Sequence, residues 1–319
     1  MRQECLDGGA ETKSRFIGTR GRSADEQVDV PLVDQSRQRF DGRSFDNIRQ
    51  DAIRHRAVIG DAEVLIQRLP SRLDSLGLLL GDFANLFTAM VANPQRFMRH
   101  AQVFRLFDYG RCLDATHENH RHTAHWMRLT SALTRYEAQA CLEMVDFSRH
   151  RRMLDVGGNS GEFLMQACRR NPGLSGTVFD LPVVCDVGLE HVLAQPECPR
   201  IGFLKADVRQ EPLPTGYDLI SFKSMLHDWP IENACAFLEK AARALLPGGT
   251  LLIYERGPLE VQQHVPPFSA LPLVMFFRSY RSPIHYLEKL QALGLVDLRC
   301  QVLHLDTPFF IVTARKPAA

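Results

Sequence analysis

The chain has 319 residues, of which 38 are basic and 37 acidic, so its formal net charge is only +1. This balance excludes the strongly basic composition of proteins that bind nucleic acid or anionic membranes, and we expect neither as a partner. The longest apolar run, residues 270–277, is shorter than the roughly 20 residues of a membrane span, and the polar start shows no secretory signal.

Eight cysteines are scattered along the chain without any CxxC pair. Most lie in apolar stretches, where free buried thiols are common. The pattern favours a reducing compartment and therefore the cytoplasm, although the sequence alone does not exclude disulfides.

The first 60 residues are polar and lack apolar periodicity, which predicts a poorly ordered or atypical segment. Residues 61–148 predict a smaller helical lobe, because apolar residues return at helical spacing over 62–100 and again over 117–145. Residues 149–319 predict a separate α/β domain in which strands and helices alternate.

In that domain, the strands are expected at 152–156, 176–180, 201–206, 217–222, 250–254, 296–304 and 309–314. Helices are expected at 162–170, 183–193, 230–246 and 284–293, with Gly248 as a cap after the third. Alternation of this kind predicts a mostly parallel sheet with helices on both faces, and the last two strands predict an antiparallel hairpin.

The stretch DVGGNSG at 155–161 predicts a strand, a glycine turn and a helix start. Glycine is required where the backbone takes positive φ or lies against a ligand, and Asn159 tolerates the left-handed conformation better than most residues. The spacing does not fit the dinucleotide pattern GxGxxG. A plain tight turn is the alternative.

Two more acids end the next two strands. Asp180 is placed to accept hydrogen bonds from ribose hydroxyls, or else to cap the following helix. Asp207 is placed to accept from an adenine amino group, or else to serve as an ordinary turn residue. Asp155, Asp180 and Asp207 thus lie at the ends of three consecutive strands, and three such acids are harder to explain as three independent caps.

The stretch KSMLHDWP at 223–230 brings an imidazole to the end of the fourth strand. His227 titrates near neutrality, so it is a candidate general base, with a structural histidine as the alternative. Asp228 is placed to cap the helix after it. Glu255, at the end of the fifth strand, is the natural partner to orient His227, unless it is an exposed loop carboxylate.

Together these segments resemble the plant-type and bacterial small-molecule O-methyltransferases, a class-I family with a Rossmann-like domain that uses S-adenosylmethionine. The resemblance covers residues 120–319. It includes LDVGG at 154–158, FDLP at 179–182, Asp207, LHDW at 226–229, LPGGT at 246–250 and Glu255.

The resemblance implies that His227 is the base and Glu255 its carboxylate partner. It also implies a set of residues around S-adenosylmethionine: Asp155, Gly157, Asp180, Leu181, Asp207, Val208 and Lys223. Met127 looks like the methionine that clamps the acceptor in this family, with a core methionine as the alternative. Trp126 and Asp228 are the other residues expected near the small-molecule acceptor.

Two departures from the family pattern stand out. Tyr280 occupies the position before an Arg-Thr-like pair where the family has a second glutamate near the base. Residues 1–75 show no clear winged-helix lobe, the part that drives dimerisation in this family, so the homodimer that the resemblance implies is left open.

Four histidines, His117, His120, His122 and His125, crowd one predicted helix. With no cysteine or carboxylate triad beside them, a pocket-lining or solvated role is favoured over a metal site, and no metal is expected.

The function expected from the sequence is methyl transfer from S-adenosylmethionine to a hydroxyl of a small aromatic or natural-product-like acceptor. A C- or N-methyltransferase on the same fold is a second interpretation. A non-catalytic S-adenosylmethionine-binding or assembly protein is a third, which the missing winged-helix lobe and Tyr280 favour; it carries less weight because function is argued from the site rather than from the fold.

Overall fold

The computed structural model describes residues 101–259, 279–305 and 307–318, together with scattered positions between 77 and 100. The predicted polar segment 1–60 lies outside the described residues, as does nearly all of the helical stretch predicted for 62–100. The boundaries of the two predicted lobes therefore stay predictions.

Within residues 101–318 as described, the helices and strands follow in the predicted order. The helices are α1 (Gln102–Arg105), α2 (His117–Met144), α3 (Glu162–Arg170), α4 (Pro182–Val192), α5 (Ile231–Ala244) and α6 (Ile284–Ala292). The strands are β1 (Arg152–Val156), β2 (Ser175–Asp180), β3 (Ile201–Lys205), β4 (Tyr217–Lys223), β5 (Leu245–Arg256), β6 (Val296–His304) and β7 (Pro308–Arg315).

The seven strands form one sheet in the order β3-β2-β1-β4-β5-β7-β6. The first five run parallel, and β7 pairs antiparallel with both β5 and β6. The predicted fold class, a mostly parallel sheet with a C-terminal antiparallel hairpin, is confirmed.

Side chains of the central strands alternate between two cores because successive residues of a strand point to opposite faces. Leu154 and Ile220 belong to the cluster under α5 and α6, whereas their neighbours Met153 and Leu219 belong to the cluster under α3 and the end of α2. All four are fully buried, so the sheet is covered on both faces, as the near-continuous apolar strands require.

The register brings the carboxyl ends of the strands to one edge. Val156 of β1 lies opposite Phe179 of β2 and Phe222 of β4, and Lys223 lies opposite Tyr254 of β5. The residues that follow each strand therefore meet at this edge, where open α/β sheets bind their ligands.

The predicted cap at Gly248 is wrong. Helix α5 ends at Ala244, and β5 begins at Leu245, which pairs with Tyr217 before an irregularity shifts the register. Gly248 has φ +75° within this irregular start, and its amide donates to the carbonyl of Lys316 at 3.0 Å. The buried Leu245 ends the helix early because it joins the sheet.

No helix in the described ranges is long and apolar enough to cross a membrane.

Candidate active site at the carboxyl ends of the strands

The turn after β1 has the backbone that its glycines predict. Gly157 and Gly161 have φ of +67° and +74°, and Asn159 has φ 55°, the left-handed conformation expected for it. A Cβ at Gly157 would lie 2.4 Å from Cγ of Met225, so no side chain fits there without movement. The turn therefore passes directly beneath the loop that carries His227.

Asp155 lies under this turn and is fully buried. Its Oδ1 accepts a hydrogen bond from the Ser221 hydroxyl at 2.6 Å, whereas its Oδ2 has no partner among the described residues. Burial raises the pKa of Asp155 to about 7, against the opposing effect of the Ser221 hydrogen bond. A buried acceptor without a donor is costly, which makes Oδ2 a point where a ligand's donor would be favoured.

Asp180 ties the glycine turn to the end of β2. Its Oδ2 accepts from the Asn159 amide at 2.8 Å and its Oδ1 from the Leu181 amide at 2.7 Å. Leu181 itself is the N-cap of α4, without a side-chain cap, so the capping alternative for Asp180 is wrong. Burial raises the pKa of Asp180 to about 6. Each carboxylate oxygen still has a lone pair for a further donor.

Asp207 follows β3 and is held by its neighbour Arg209. Both carboxylate oxygens accept from the guanidinium, at 2.7–3.0 Å, and Oδ1 also accepts the Arg209 amide. Burial alone would raise the pKa of Asp207, but these hydrogen bonds lower it below its usual value. The next residue, Val208, is buried, and its carbonyl accepts from Lys240 at 2.6 Å.

Lys223, at the end of β4, belongs to a buried ion network with α2. Its ammonium lies 2.5 Å from Oε2 of Glu137 and 2.9 Å from the Thr134 hydroxyl. Arg256 at the end of β5 pairs with the other oxygen of Glu137. Burial lowers the pKa of Lys223, and the carboxylate of Glu137 opposes this. The network joins α2 to the ends of β4 and β5.

His227 lies in a short 3₁₀ turn, Leu226–Asp228, after β4. Its Nδ1 lies 2.5 Å from Oε2 of Glu255, while Oε1 of Glu255 accepts the amides of Met225 and Leu226 at 2.8 and 2.6 Å. Glu255 is only 1 % exposed, which rules out the loop-carboxylate alternative. One carboxylate thus holds both the ring and the backbone before it.

The charges around His227 raise its pKa. Burial by itself lowers the pKa of the imidazole, but the carboxylates of Glu255 and Asp228 more than offset this, so the pKa of His227 lies above its ordinary value. Since Nδ1 donates to Glu255, Nε2 is the nitrogen that can accept a proton.

Asp228 does not cap helix α5. The N-cap of α5 is Pro230, and no side chain caps it. Instead, Oδ2 of Asp228 accepts a hydrogen bond from the Tyr109 hydroxyl at 2.7 Å, and Oδ1 lies 3.4 Å from Nε2 of His227. The capping prediction fails because the Asp228 carboxylate turns toward Tyr109.

Trp126 and Met127 lie on α2 and are almost fully buried, in a third apolar cluster with the start of α4. The indole of Trp126 contacts Tyr109 edge-on, with ring centroids 5.8 Å apart. Met127 also lines a cavity of about 380 Å³ between α2 and α4. Both residues therefore have a packing role, whatever else they contact.

The position expected to hold a second glutamate does face His227. Tyr280 is 6 % exposed, and its ring meets that of His227 edge to face at 5.4 Å. The adjacent Arg281 donates to the carbonyl of Leu226 at 2.9 Å and to that of Trp229. Its guanidinium therefore bridges the two ends of the segment that carries His227.

The four histidines lie at the start of α2, and His120 pairs with Glu190 of α4 at 3.2 Å. His125 lies 3.3 Å from the guanidinium of Arg128. No group of three or more metal-ligating side chains occurs among the residues that the structure describes.

The model of the O-methyltransferase domain family matches residues 90–293, well over half of the chain. The chain belongs to this family. It is 39% identical over 138 residues to 3-hydroxy-5-methyl-1-naphthoate 3-O-methyltransferase of Streptomyces sahachiroi, a match that covers 43% of this chain and 40% of that protein. The chain spans less than half the length of the curated relatives it matches.

Two solved structures share the fold of this chain. The structure of PigF with SAH has 25% identity and a TM-score of 0.54, and the match covers 62% of this chain and 60% of that one. The mitomycin 7-O-methyltransferase MmcR has 19% identity and a TM-score of 0.60, with 83% of this chain and 79% of that one covered. The family that the motifs predicted is confirmed.

Sequence reasoning missed several residues of this site, namely Tyr109, Glu137, Arg209, Arg256 and Arg281. Arg281 could have been predicted from the sequence, since it follows Tyr280 directly in the stretch compared with the family pattern. Tyr109 and Glu137 carry no local pattern, because their partners lie 119 and 86 residues away in the chain.

Proposed function

We propose that the chain transfers the methyl group of S-adenosylmethionine to a hydroxyl group of a small aromatic or natural-product-like molecule, with His227 as general base. The observation that carries this proposal is the hydrogen bond between Nδ1 of His227 and Glu255 at 2.5 Å. It orients the ring and leaves Nε2 as the nitrogen that takes the proton.

Membership of the family and the likeness to PigF, which was solved with SAH, support S-adenosylmethionine as the donor. Two features of the chain fit such a molecule. Oδ2 of Asp155 is a buried acceptor without a described donor. The backbone at Gly157 has φ +67° and no side chain, as is typical of a turn that lies against a ligand. When bound, the donor supplies an electrophilic methyl group on sulfur.

Seven residues are proposed to surround the donor. Asp180 is proposed to accept from the ribose hydroxyls, for which its oxygens keep free lone pairs. Asp207 and Val208 are proposed to lie at the adenine, and the remaining residues are Asp155, Gly157, Leu181 and Lys223. For Asp207 and Lys223, contact with the donor competes with their existing partners, Arg209 and Glu137.

The chain's own contribution to the reaction is proton removal and orientation. Nε2 of His227 takes the proton of the acceptor hydroxyl, and Glu255 stabilises the imidazolium that forms. Holding donor and acceptor in line lowers the barrier further, by up to roughly 7–11 kcal/mol in favourable cases. Asp228, beside Nε2, is proposed to contact the acceptor, and Trp126 and Met127 to form the apolar wall behind Tyr109.

The cytoplasmic location and the homodimer also stay proposals. The seven cysteines that the structure describes are all free thiols, which supports a reducing compartment. Light scattering of the purified chain tests the dimer directly, since a homodimer has twice the mass of 36.2 kDa.

The test is methyl transfer from radiolabelled S-adenosylmethionine to a panel of phenols, catechols and hydroxynaphthoates. Hydroxynaphthoates are included because the relative from Streptomyces sahachiroi is a hydroxynaphthoate O-methyltransferase. The wild type is compared with His227→Gln, and His285→Gln, an exposed histidine on α6, is the matched control. We expect His227→Gln to lower kcat by roughly 10²–10⁴-fold and the control to leave it unchanged.

Equal rates for wild type and His227→Gln would remove His227 from the mechanism. Mass spectrometry and NMR of the product separate O-methylation from C- or N-methylation. Calorimetric binding of S-adenosylmethionine without turnover of any acceptor would support the non-catalytic alternative instead.

A further inference from the structure

A hydroxyl from the helical lobe reaches the residue beside the base. Tyr109 lies in the 3₁₀ turn Tyr109–Cys112 that precedes α2, 119 residues before Asp228. Its hydroxyl donates to Oδ2 of Asp228 at 2.7 Å, and the other oxygen of that carboxylate lies 3.4 Å from Nε2 of His227. Neither contact follows from the family motifs in the sequence.

We propose that Tyr109 is a positioning residue for the methyl transfer proposed above: its hydroxyl fixes the carboxylate of Asp228 so that Oδ1 faces Nε2 of His227. The inference rests on the proposed function for its role in catalysis. The geometry itself can be tested without it.

The ring of Tyr109 is held by packing on two sides. It meets the indole of Trp126 edge to face at 5.8 Å and stacks on that of Trp229 at 6.2 Å. Two aromatic contacts at these separations restrict the swing of the ring. The hydroxyl is therefore presented at a set place, and a short charge-assisted hydrogen bond to one carboxylate oxygen orients the other.

The position of Asp228 matters because Nε2 is where the proton arrives. Glu255 already occupies Nδ1, so a second carboxylate at Nε2 stabilises the charged imidazolium from the opposite side of the ring. The hydrogen bond from Tyr109 favours the ionised form of Asp228, against the effect of burial, which raises the pKa of that carboxyl. The hydrogen bond from Tyr109 thus holds the Asp228 carboxylate in position and favours its ionised form.

Other charged and titratable groups also face this ring and must be held constant in any comparison. They are Glu255 and Arg256 of β5, Tyr280 edge-on to the imidazole, and Arg281 on the carbonyls of Leu226 and Trp229. Arg256 opposes protonation of the imidazole, whereas Glu255 and Asp228 favour it. A change at Tyr109 alters only the Asp228 part of this balance.

The experiment compares the wild type with Tyr109→Phe, which keeps the ring and its stacking and removes only the hydroxyl. Tyr217→Phe is the matched control, because the Tyr217 hydroxyl also donates to an oxygen, Oγ1 of Thr177 at 3.0 Å, at the start of β4, the opposite end of the strand from His227. Asp228→Asn removes the carboxylate charge itself. Thermal unfolding of each variant first establishes that it is folded.

The direct readout is the pKa of His227, measured by NMR titration of histidine-labelled protein, with the signal assigned through His227→Gln. We expect Tyr109→Phe to lower this pKa by about half a pH unit or more, and Asp228→Asn to lower it further. Tyr217→Phe should leave it unchanged. The double variant Tyr109→Phe/Asp228→Asn should match Asp228→Asn alone, because both changes act through one carboxylate.

An unchanged His227 pKa in Tyr109→Phe would overturn the proposal, and so would an additive effect in the double variant. In an active enzyme, the acidic limb of kcat/KM against pH should move to lower pH in Tyr109→Phe, which loss of packing would not cause. If the wild type methylates no acceptor, the proposed function fails, while the titration still decides whether Tyr109 orients Asp228.

Discussion

Glu255 and His227 lie 28 residues apart in the chain, yet Oε2 of the one is 2.5 Å from Nδ1 of the other. The same carboxylate accepts two amides through Oε1, so it is fixed on the side away from the ring. Parallel pairing of β4 with β5 makes this possible, because Lys223 and Tyr254 lie side by side at the end of the two strands. The orientation of the His227 ring thus depends on the sheet register.

Replacing Glu255 by Gln should lower kcat by roughly 10²–10⁴-fold, similar to the loss of the base. The amide oxygen of Gln can still accept the two backbone amides, but its NH₂ group then faces Nδ1 and favours the tautomer with the proton on Nε2. Glu239→Gln, at an ion pair with Lys289 on the surface, is the matched control and should keep full activity. Steady-state kinetics with saturating donor measure the difference.

The pH dependence of kcat/KM follows from the raised pKa of His227. The base must be neutral to accept a proton, and burial, which lowers the pKa, is outweighed by the neighbouring carboxylates of Glu255 and Asp228. The neutral form therefore appears only as pH rises through a value above 6.5, and activity should rise with it to a plateau. A midpoint below 6.5 would contradict this account.

Replacing Gly157 by Ala should weaken binding of S-adenosylmethionine by about tenfold or more and also destabilise the fold. Both effects follow from the left-handed backbone and from the collision with Met225 at 2.4 Å. Gly248→Ala separates the two causes, since Gly248 has φ +75° but nothing within 4 Å of its would-be Cβ. Calorimetry should show unchanged donor affinity in that control.

Replacing Arg281 by Lys should lower kcat by about tenfold with little change in the KM for the donor. Lysine keeps the charge but cannot hold the carbonyls of Leu226 and Trp229 together. The Leu226 carbonyl keeps the Trp229 amide at 3.3 Å, but loss of the guanidinium bond to the Trp229 carbonyl is expected to cost roughly 1–3 kcal/mol. Kinetics and urea unfolding measure the two effects. Arg149→Lys, at the exposed pair with Asp146, should change neither.

The elements that the sequence predicted best are those with local signals. Strand β1 and helix α3 have the predicted bounds, because a buried apolar run, a glycine turn and an amphipathic helix follow one another within twenty residues. The start of β5 was missed, because Leu245 reads as the last residue of a helical stripe until its pairing with Tyr217 is known.

Asp228 shows the same limit at the site. Its local sequence, an acid before Trp-Pro at a helix start, is typical of an N-cap. Tyr109 competes for that carboxylate from another part of the chain, and the tertiary contact prevails over the local preference.

By itself, the sequence determined the order of strands and helices, the glycine turn and the identity of the groups at the strand ends. These depend on residue type and spacing within short stretches, where backbone preferences and apolar periodicity act. The tertiary structure decided which groups meet. The Tyr109–Asp228–His227–Glu255 chain and the pairing of Glu137 with Lys223 and Arg256 join distant segments, and such contacts form only when packing brings those segments together.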